Sequence, residues 1–139
     1  MKKIYVDGTF DLLHIGHIEF FKKAKEFGNY LIVGVIAEKG VESYKRKPIL
    51  TLEERCKMLE NIKLVDKVIP DCPLGGISEE FLEKYSIDMV IYAGNENDWQ
   101  DHYKIPIERK MMKYINYGCN NISTSKILKR IKCRENLNI

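Results

Sequence analysis

The chain has 139 residues, 45% hydrophobic and 31% charged, with a formal net charge of +3. That length suits one domain spanning residues 1–139, and the balance excludes a disordered chain. The charge is too small and too mixed in sign to argue for nucleic acid, and no apolar run approaches the ~18 residues that span a bilayer.

In chain order, apolar runs alternate with helical patterns. Residues 3–7 read as a strand, and 16–27 as a helix with Phe20, Phe21, Ala24 and Phe27 on one face. A Val- and Ile-rich strand is expected at 30–37. Thr51 and Glu54 form a capping box opening a helix that turns Leu52, Cys56, Leu59 and Ile62 inward. A third strand at 66–70 follows, with Asp66 at its end, then a short helix capped by Ser78 and carrying Phe81, Leu82 and Tyr85. Strands at 88–92 and 113–117 precede a helix from Thr124, with Ile127, Leu128 and Ile131 on its buried side. Such alternation predicts an α/β fold with a five-stranded parallel sheet covered by helices on both faces. Ligands then bind beyond the carboxyl ends of the strands. The segments 38–50 and 93–112 read as long, functional loops.

Cys56, Cys72, Cys119 and Cys133 are widely spaced, so they read as reduced thiols and not as a disulfide framework or zinc site. Asp7 interrupts the first apolar run before a secretory leader can form, so a cytoplasmic location is expected.

The segment Gly8-Thr9-Phe10-Asp11-Leu12-Leu13-His14-Ile15-Gly16-His17 carries the chemistry. A strand, a glycine turn and a helix start make an anion-binding corner, because helix N-terminal N–H groups and the helix dipole favour negative charge. Gly8 and Gly16 permit close backbone approach. His14 and His17 share a face of the first turn, where two imidazoles can donate hydrogen bonds to a reacting phosphorus centre. The bland alternative is a helix start with solvated histidines. Against it, this corner holds two of the chain's 3 histidines.

These residues resemble the cytidylyltransferase family, whose Gly-x-Phe-Asp-x-x-His-x-Gly-His signature is matched by Gly8, Phe10, Asp11, His14, Gly16 and His17. Ile122-Ser123-Thr124-Ser125 matches the family's Ile-Ser-Thr-Ser/Thr motif. Lys45 with Glu54-Arg55, and Lys63 to Pro70, match two further segments. The resemblance implies a Rossmann-like, doubly wound fold and a homodimer. It also implies a reaction in which CTP and a small phosphorylated alcohol give a CDP-alcohol and pyrophosphate. The stretches Val6-Asp7-Gly8, Thr51–Met58 and Glu80–Tyr85 look like the phosphoethanolamine and phosphocholine enzymes. The small size and Gly8–His14 look like the glycerol-3-phosphate enzymes. Three departures stand out: Gly118-Cys119-Asn120-Asn121 lacks the family's arginine, Ala93-Gly94-Asn95-Glu96-Asn97-Asp98 stands where the family has Gly-Asp-Asp or Gly-Asn-Asp after the fourth strand, and Leu74 replaces an aromatic of the phosphocholine enzymes.

By this resemblance His14, His17, Lys45, Ser123 and Thr124 form the catalytic set around the triphosphate. Gly8, Thr9, Phe10, Asp11, Gly16, Ile122 and Ser125 line the nucleotide, with Gly94, Asn95 and Asp98 after the fourth strand. Arg55 reads equally as a ligand or as a surface ion-pair partner. Trp99 reads as a cover for a base or quaternary ammonium, or as loop packing; with Tyr103, four residues on, it would supply a replacement aromatic surface for a cationic acceptor if their loop folds over the site. Magnesium is expected to arrive with CTP, held mainly by the nucleotide, with Asp11 as a further ligand and no carboxylate cage. The competing functions are an ATP-using adenylyltransferase and a non-catalytic nucleotide sensor.

Overall fold

The computed structural model describes residues 1–116 and 122–134. Five parallel strands, β1 (Lys3–Gly8), β2 (Tyr30–Val35), β3 (Lys67–Pro70), β4 (Met89–Tyr92) and β5 (Met112–Tyr114), lie in the order β3-β2-β1-β4-β5. The helices are α1 (Ile15–Lys25), α2 (Glu38–Glu42), α3 (Leu52–Glu60), α4 (Glu79–Lys84), α5 (Lys104–Glu108) and α6 (Thr124–Lys132). This is the Rossmann-like doubly wound α/β arrangement. β1 is central, paired with β2 from Lys3↔Tyr30 to Gly8↔Val35 and with β4 at Ile4↔Met89. The chain winds outward from β1 to β3 and then returns to β4, so the switch point lies beyond Gly8 and Tyr92.

Period-2 alternation explains the two cores. Ile4, Val6, Leu31 and Val33 face α1 and α3, where Phe20, Phe21, Ala24 and Leu59 meet them. Tyr5, Ile32 and Val90 face the other side, with Ile69, Leu82, Ile87 and Tyr103. Burial on both faces is what makes these strands near-continuously apolar. Asp66 fastens the sheet edge: its carboxylate accepts from Leu31 N at 2.8 Å and Lys25 Nζ at 2.9 Å.

Several expected bounds shift. α1 ends at Lys25, with Phe27 in the following turn, and β2 ends at Val35. β5 is Met112–Tyr114, not 113–117, and residue 117 lies outside the described residues. The two long loops contain short helices. In α2 a single buried side chain, Val41, carries no readable period. In α5 the proline at 106 masks the helix, although the first-turn N–H it lacks would have had no partner. On α6 only Thr124 is buried; Ile127 and Leu128 are half-buried and Ile131 is exposed, contrary to the expected buried side.

Candidate active site

The β1–α1 corner is built by its own histidines. His14 is the N-cap of α1; its Nδ1 accepts from Gly16 N at 3.0 Å. His17 Nδ1 accepts from His14 N at 3.2 Å. This is a capping box made of two imidazoles. With both Nδ1 atoms accepting backbone protons, each neutral ring carries its own proton on Nε2, free for a ligand. The rings lie 3.9 Å apart. Burial, with His14 and Lys45 nearby and Asp11 opposing, pushes His17 down to about 3; burial also lowers His14. Both are therefore neutral donors at pH 7. Gly16 is required: a Cβ there would lie 2.7 Å from His14 Cε1 and 3.5 Å from the Ile122 carbonyl.

The loop before α1 is strained. Phe10 and Leu12 take φ of 53° and 48°, a region that non-glycine residues adopt at a cost. The buried Phe10 ring holds the turn, 5.4 Å from Phe21 and 5.7 Å from His17. Asp11 is the hub. Its carboxylate accepts from Ile49 N at 2.8 Å and Leu50 N at 3.0 Å, and its carbonyl accepts from Thr124 Oγ1 at 2.6 Å. It thus ties the segment carrying Lys45, and the start of α6, to the corner.

Arg55 is not a surface residue. It is fully buried, donating from Nη1 to the carbonyls of Thr9 (2.8 Å) and Ile36 (2.7 Å) and from Nε to Leu50 (3.1 Å). Its Nη2 lies 3.8 Å from Glu38 Oε1. Arg55 holds three segments around the site in register.

A cavity of about 340 Å³ opens beyond β1, lined by Gly8, Thr9, Phe10, Asp11, His17, Lys45 and Thr124 among others. Burial and the neighbouring Arg46 lower Lys45 from its ordinary value. Ser123 caps α6, accepting from Lys126 N at 3.1 Å, and Arg46 Nη1 donates to Ser125 Oγ at 3.3 Å. A hollow of about 320 Å³ at the ends of β4 and β5 is lined by Ala93, Gly94, Asn95, Ile115 and Asn116. Asp98 folds this loop, accepting from Asn95 N at 3.2 Å and Tyr92 OH at 3.3 Å. The run Gly118–Asn121 lies outside the described residues.

A second cavity of about 120 Å³ adjoins the first and shares Asp7, Gly8, Tyr44 and Tyr92 with it. Leu74, Trp99, His102 and Tyr103 complete its walls with Ile36. Asp7 Oδ2 is 2.7 Å from His102 Nε2, and Oδ1 accepts from Tyr103 OH at 2.7 Å. Burial beside the Asp7 carboxylate raises the Tyr103 hydroxyl far above the ordinary phenol range, so it remains a donor. Sequence reasoning named Trp99 and Tyr103 as an aromatic surface but missed Asp7, His102 and Tyr44. Asp7 stands at the strand end, where a polar residue after Ile4-Tyr5-Val6 was the available signal.

A sequence profile of the cytidylyltransferase-like family matches residues 5–130. The chain belongs to the cytidylyltransferase-like family. That makes this cytidylyltransferase-like protein a nucleotidyltransferase. It is 35% identical over 127 residues to the glycerol-3-phosphate cytidylyltransferase of Staphylococcus aureus, covering 91% of this chain and 92% of that protein. It is 37% identical over 95 residues to an ethanolamine-phosphate cytidylyltransferase of Arabidopsis thaliana, covering 66% of this chain but 22% of that protein. An FAD synthase of Thermococcus sibiricus is 33% identical over 139 residues, with 93% and 91% covered. The fold resembles that of a lipopolysaccharide core biosynthesis protein from Thermoplasma volcanium, with a TM-score of 0.66 at 24% identity over 84% of this chain and 95% of that one.

The histidine chemistry has a measurable consequence for this cytidylyltransferase-like protein. A His17 held near 3 when folded but at about 6.5 when unfolded binds fewer protons in the native state. Its contribution to stability is complete above about pH 6.5 and is lost as pH falls toward 3. The melting temperature of the ligand-free protein is expected to fall between pH 6.5 and 5, where most carboxylates remain ionised, and His17→Gln to flatten that slope. An unchanged slope in the variant would contradict the assignment.

Proposed function

We propose that this protein transfers a cytidylyl group from CTP to a small phosphorylated amino alcohol, phosphoethanolamine or phosphocholine, releasing pyrophosphate. The observation carrying the acceptor is Asp7, a buried carboxylate in a cavity walled by Tyr44, Tyr92, Trp99 and Tyr103. His102 and Tyr103 use one lone pair on each of its oxygens, which leaves two acceptor sites for an ammonium head. Aromatic faces around a carboxylate suit a cation.

The acceptor's phosphate oxygen attacks the α-phosphorus of CTP as the bond to the β-phosphate oxygen breaks. A phosphate monoester is already a nucleophile at neutral pH, so no general base is needed and catalysis is positioning and charge stabilisation. His14 and His17 donate from Nε2 to the phosphate oxygens, and Lys45 contributes a positive charge. Thr124 Oγ1 and the Ser123 acceptor function are engaged in the fold, so α6 contributes its first-turn N–H groups and the Ser123 hydroxyl proton. Gly94 and Asn95 place the nucleoside beside β4.

Magnesium fits as an ion carried by the triphosphate, where it neutralises and orients the phosphates. Among the described residues no cluster of three or more His, Cys, Asp or Glu side chains offers a metal cage. Each Asp11 oxygen already accepts a backbone amide, so Asp11 serves the nucleotide loop first. We further propose a homodimer acting in the cytoplasm; light scattering at micromolar concentration tests the assembly, and a monomer would contradict it. No helix among the described residues is long and apolar enough to cross a membrane.

Two readings compete. The Staphylococcus relative of matching length favours glycerol 3-phosphate as acceptor, and the FAD synthase relatives favour ATP as donor. Trp99→Ala separates the acceptors. Losing a ring from a cation site costs roughly 0.5–2 kcal/mol, so the KM for phosphoethanolamine or phosphocholine should rise about 2- to 30-fold. Binding of CTP alone should be nearly unchanged. A variant that weakens CTP and spares the acceptor would place Trp99 at the nucleotide instead.

A further inference from the structure

Tyr44 stands where the two cavities meet. It lines the aromatic cavity beside Asp7 and the phosphate cavity beside Lys45. Its hydroxyl lies 3.3 Å from Thr9 Oγ1, and its ring meets Trp99 edge-on with centroids 5.0 Å apart. Its N–H donates at 3.2 Å to the carbonyl of Val41, which is fully buried in α2. Further along, Asp11 holds Ile49 and Leu50. Residues 44–48 are thus a strap tethered at both ends, whose first side chain lines the acceptor cavity and whose second lines the triphosphate cavity alone.

We infer that Tyr44 is a positioning residue that couples occupancy of the acceptor cavity to the placement of Lys45 on the nucleotide phosphates, an inference resting on the proposed transfer to a phosphorylated amino alcohol. Tyr44 is 39% exposed, its side chain held by one long hydroxyl contact and one ring contact. An ammonium head between Asp7 and the rings gives Tyr44 a third partner and fixes it. The planar peptide joining residues 44 and 45 carries that restraint directly to the lysine backbone. Fixing Lys45 before the nucleotide arrives removes part of the ordering cost of binding, so each substrate tightens the other by the same factor.

The test uses magnesium with the α,β-methylene analogue of CTP, which cannot release pyrophosphate. Its dissociation constant is measured with and without saturating phosphoethanolamine, or phosphocholine if that is the acceptor turned over. For the wild type the acceptor should tighten the analogue about 5- to 30-fold. Tyr44→Phe keeps the ring and should retain most of that ratio. In Tyr44→Ala the ratio should fall to within about 2-fold of one, whatever the variant does to the analogue alone. If that variant does not fold, Tyr44→Leu, which fills space without a π face, is read the same way. A merely structural role would weaken each ligand separately and leave the ratio intact. A wild-type ratio in the alanine or leucine variant overturns the coupling. So does a ratio of one in a wild type that turns over CTP and the acceptor. A wild type that turns over neither amino-alcohol phosphate overturns the proposed function and this inference together.

Discussion

Replacing His17 with alanine is expected to lower kcat by about 100- to 1000-fold, the scale of losing one preorganised transition-state donor. The ring sits in the first turn of α1, its Nδ1 fixed by His14 N at 3.2 Å, which aims the Nε2 proton at the ligand without further ordering. The fold loses one hydrogen bond of the capping box, on the order of 1 kcal/mol, or a few degrees in melting temperature. His17→Gln separates the two effects. Glutamine at this third helical position can accept from the N-cap amide, so stability should be largely kept while turnover remains depressed. The readouts are pyrophosphate release and a melting curve on the same samples. Near-normal turnover by folded His17→Ala would remove the residue from the reaction.

Arg55→Ala should be the most destabilising single change at the site. It strands the buried carbonyls of Thr9, Ile36 and Leu50, which the guanidinium satisfies at 2.7–3.1 Å. Leaving buried acceptors unpaired and emptying the space of a fully buried side chain costs about 3–5 kcal/mol, or roughly 10–20 °C in melting temperature. Arg55→Lys should recover less than half, because one ammonium cannot reproduce donors that fork toward three segments. Where either variant is folded, turnover should still be reduced, since the β1–α1 loop and the Lys45 strap lose their common tie. A small change in melting temperature for Arg55→Ala would contradict the reading of this residue.

The sheet was legible because its strands are buried on both faces and its longer helices carry clear periods and caps. Thr51 and Ser78 cap where their spacing to the following residues predicts, with Glu54 and Phe81 as the partners. The corner was legible because glycines and histidines at fixed offsets leave a trace in local sequence. Arg55 was ambiguous because a lone arginine on an amphipathic helix is usually solvated, and its three carbonyl partners come from three different segments. The pairing of Asp7 with His102 and Tyr103 was hidden for a similar reason. His102 and Tyr103 precede the short helix α5, far along the chain from the strand they serve, and tertiary packing alone brings them together. Tyr44 beside Lys45 carried no periodic signal, and only the cavity shapes give it a place.

The most direct measurement is pyrophosphate release by the wild-type protein with magnesium, pairing CTP or ATP with phosphoethanolamine, phosphocholine, glycerol 3-phosphate and sugar phosphates. The expected result is the highest kcat/KM for CTP with phosphoethanolamine or phosphocholine. A preference for ATP, or turnover with glycerol 3-phosphate alone, would contradict the assignment.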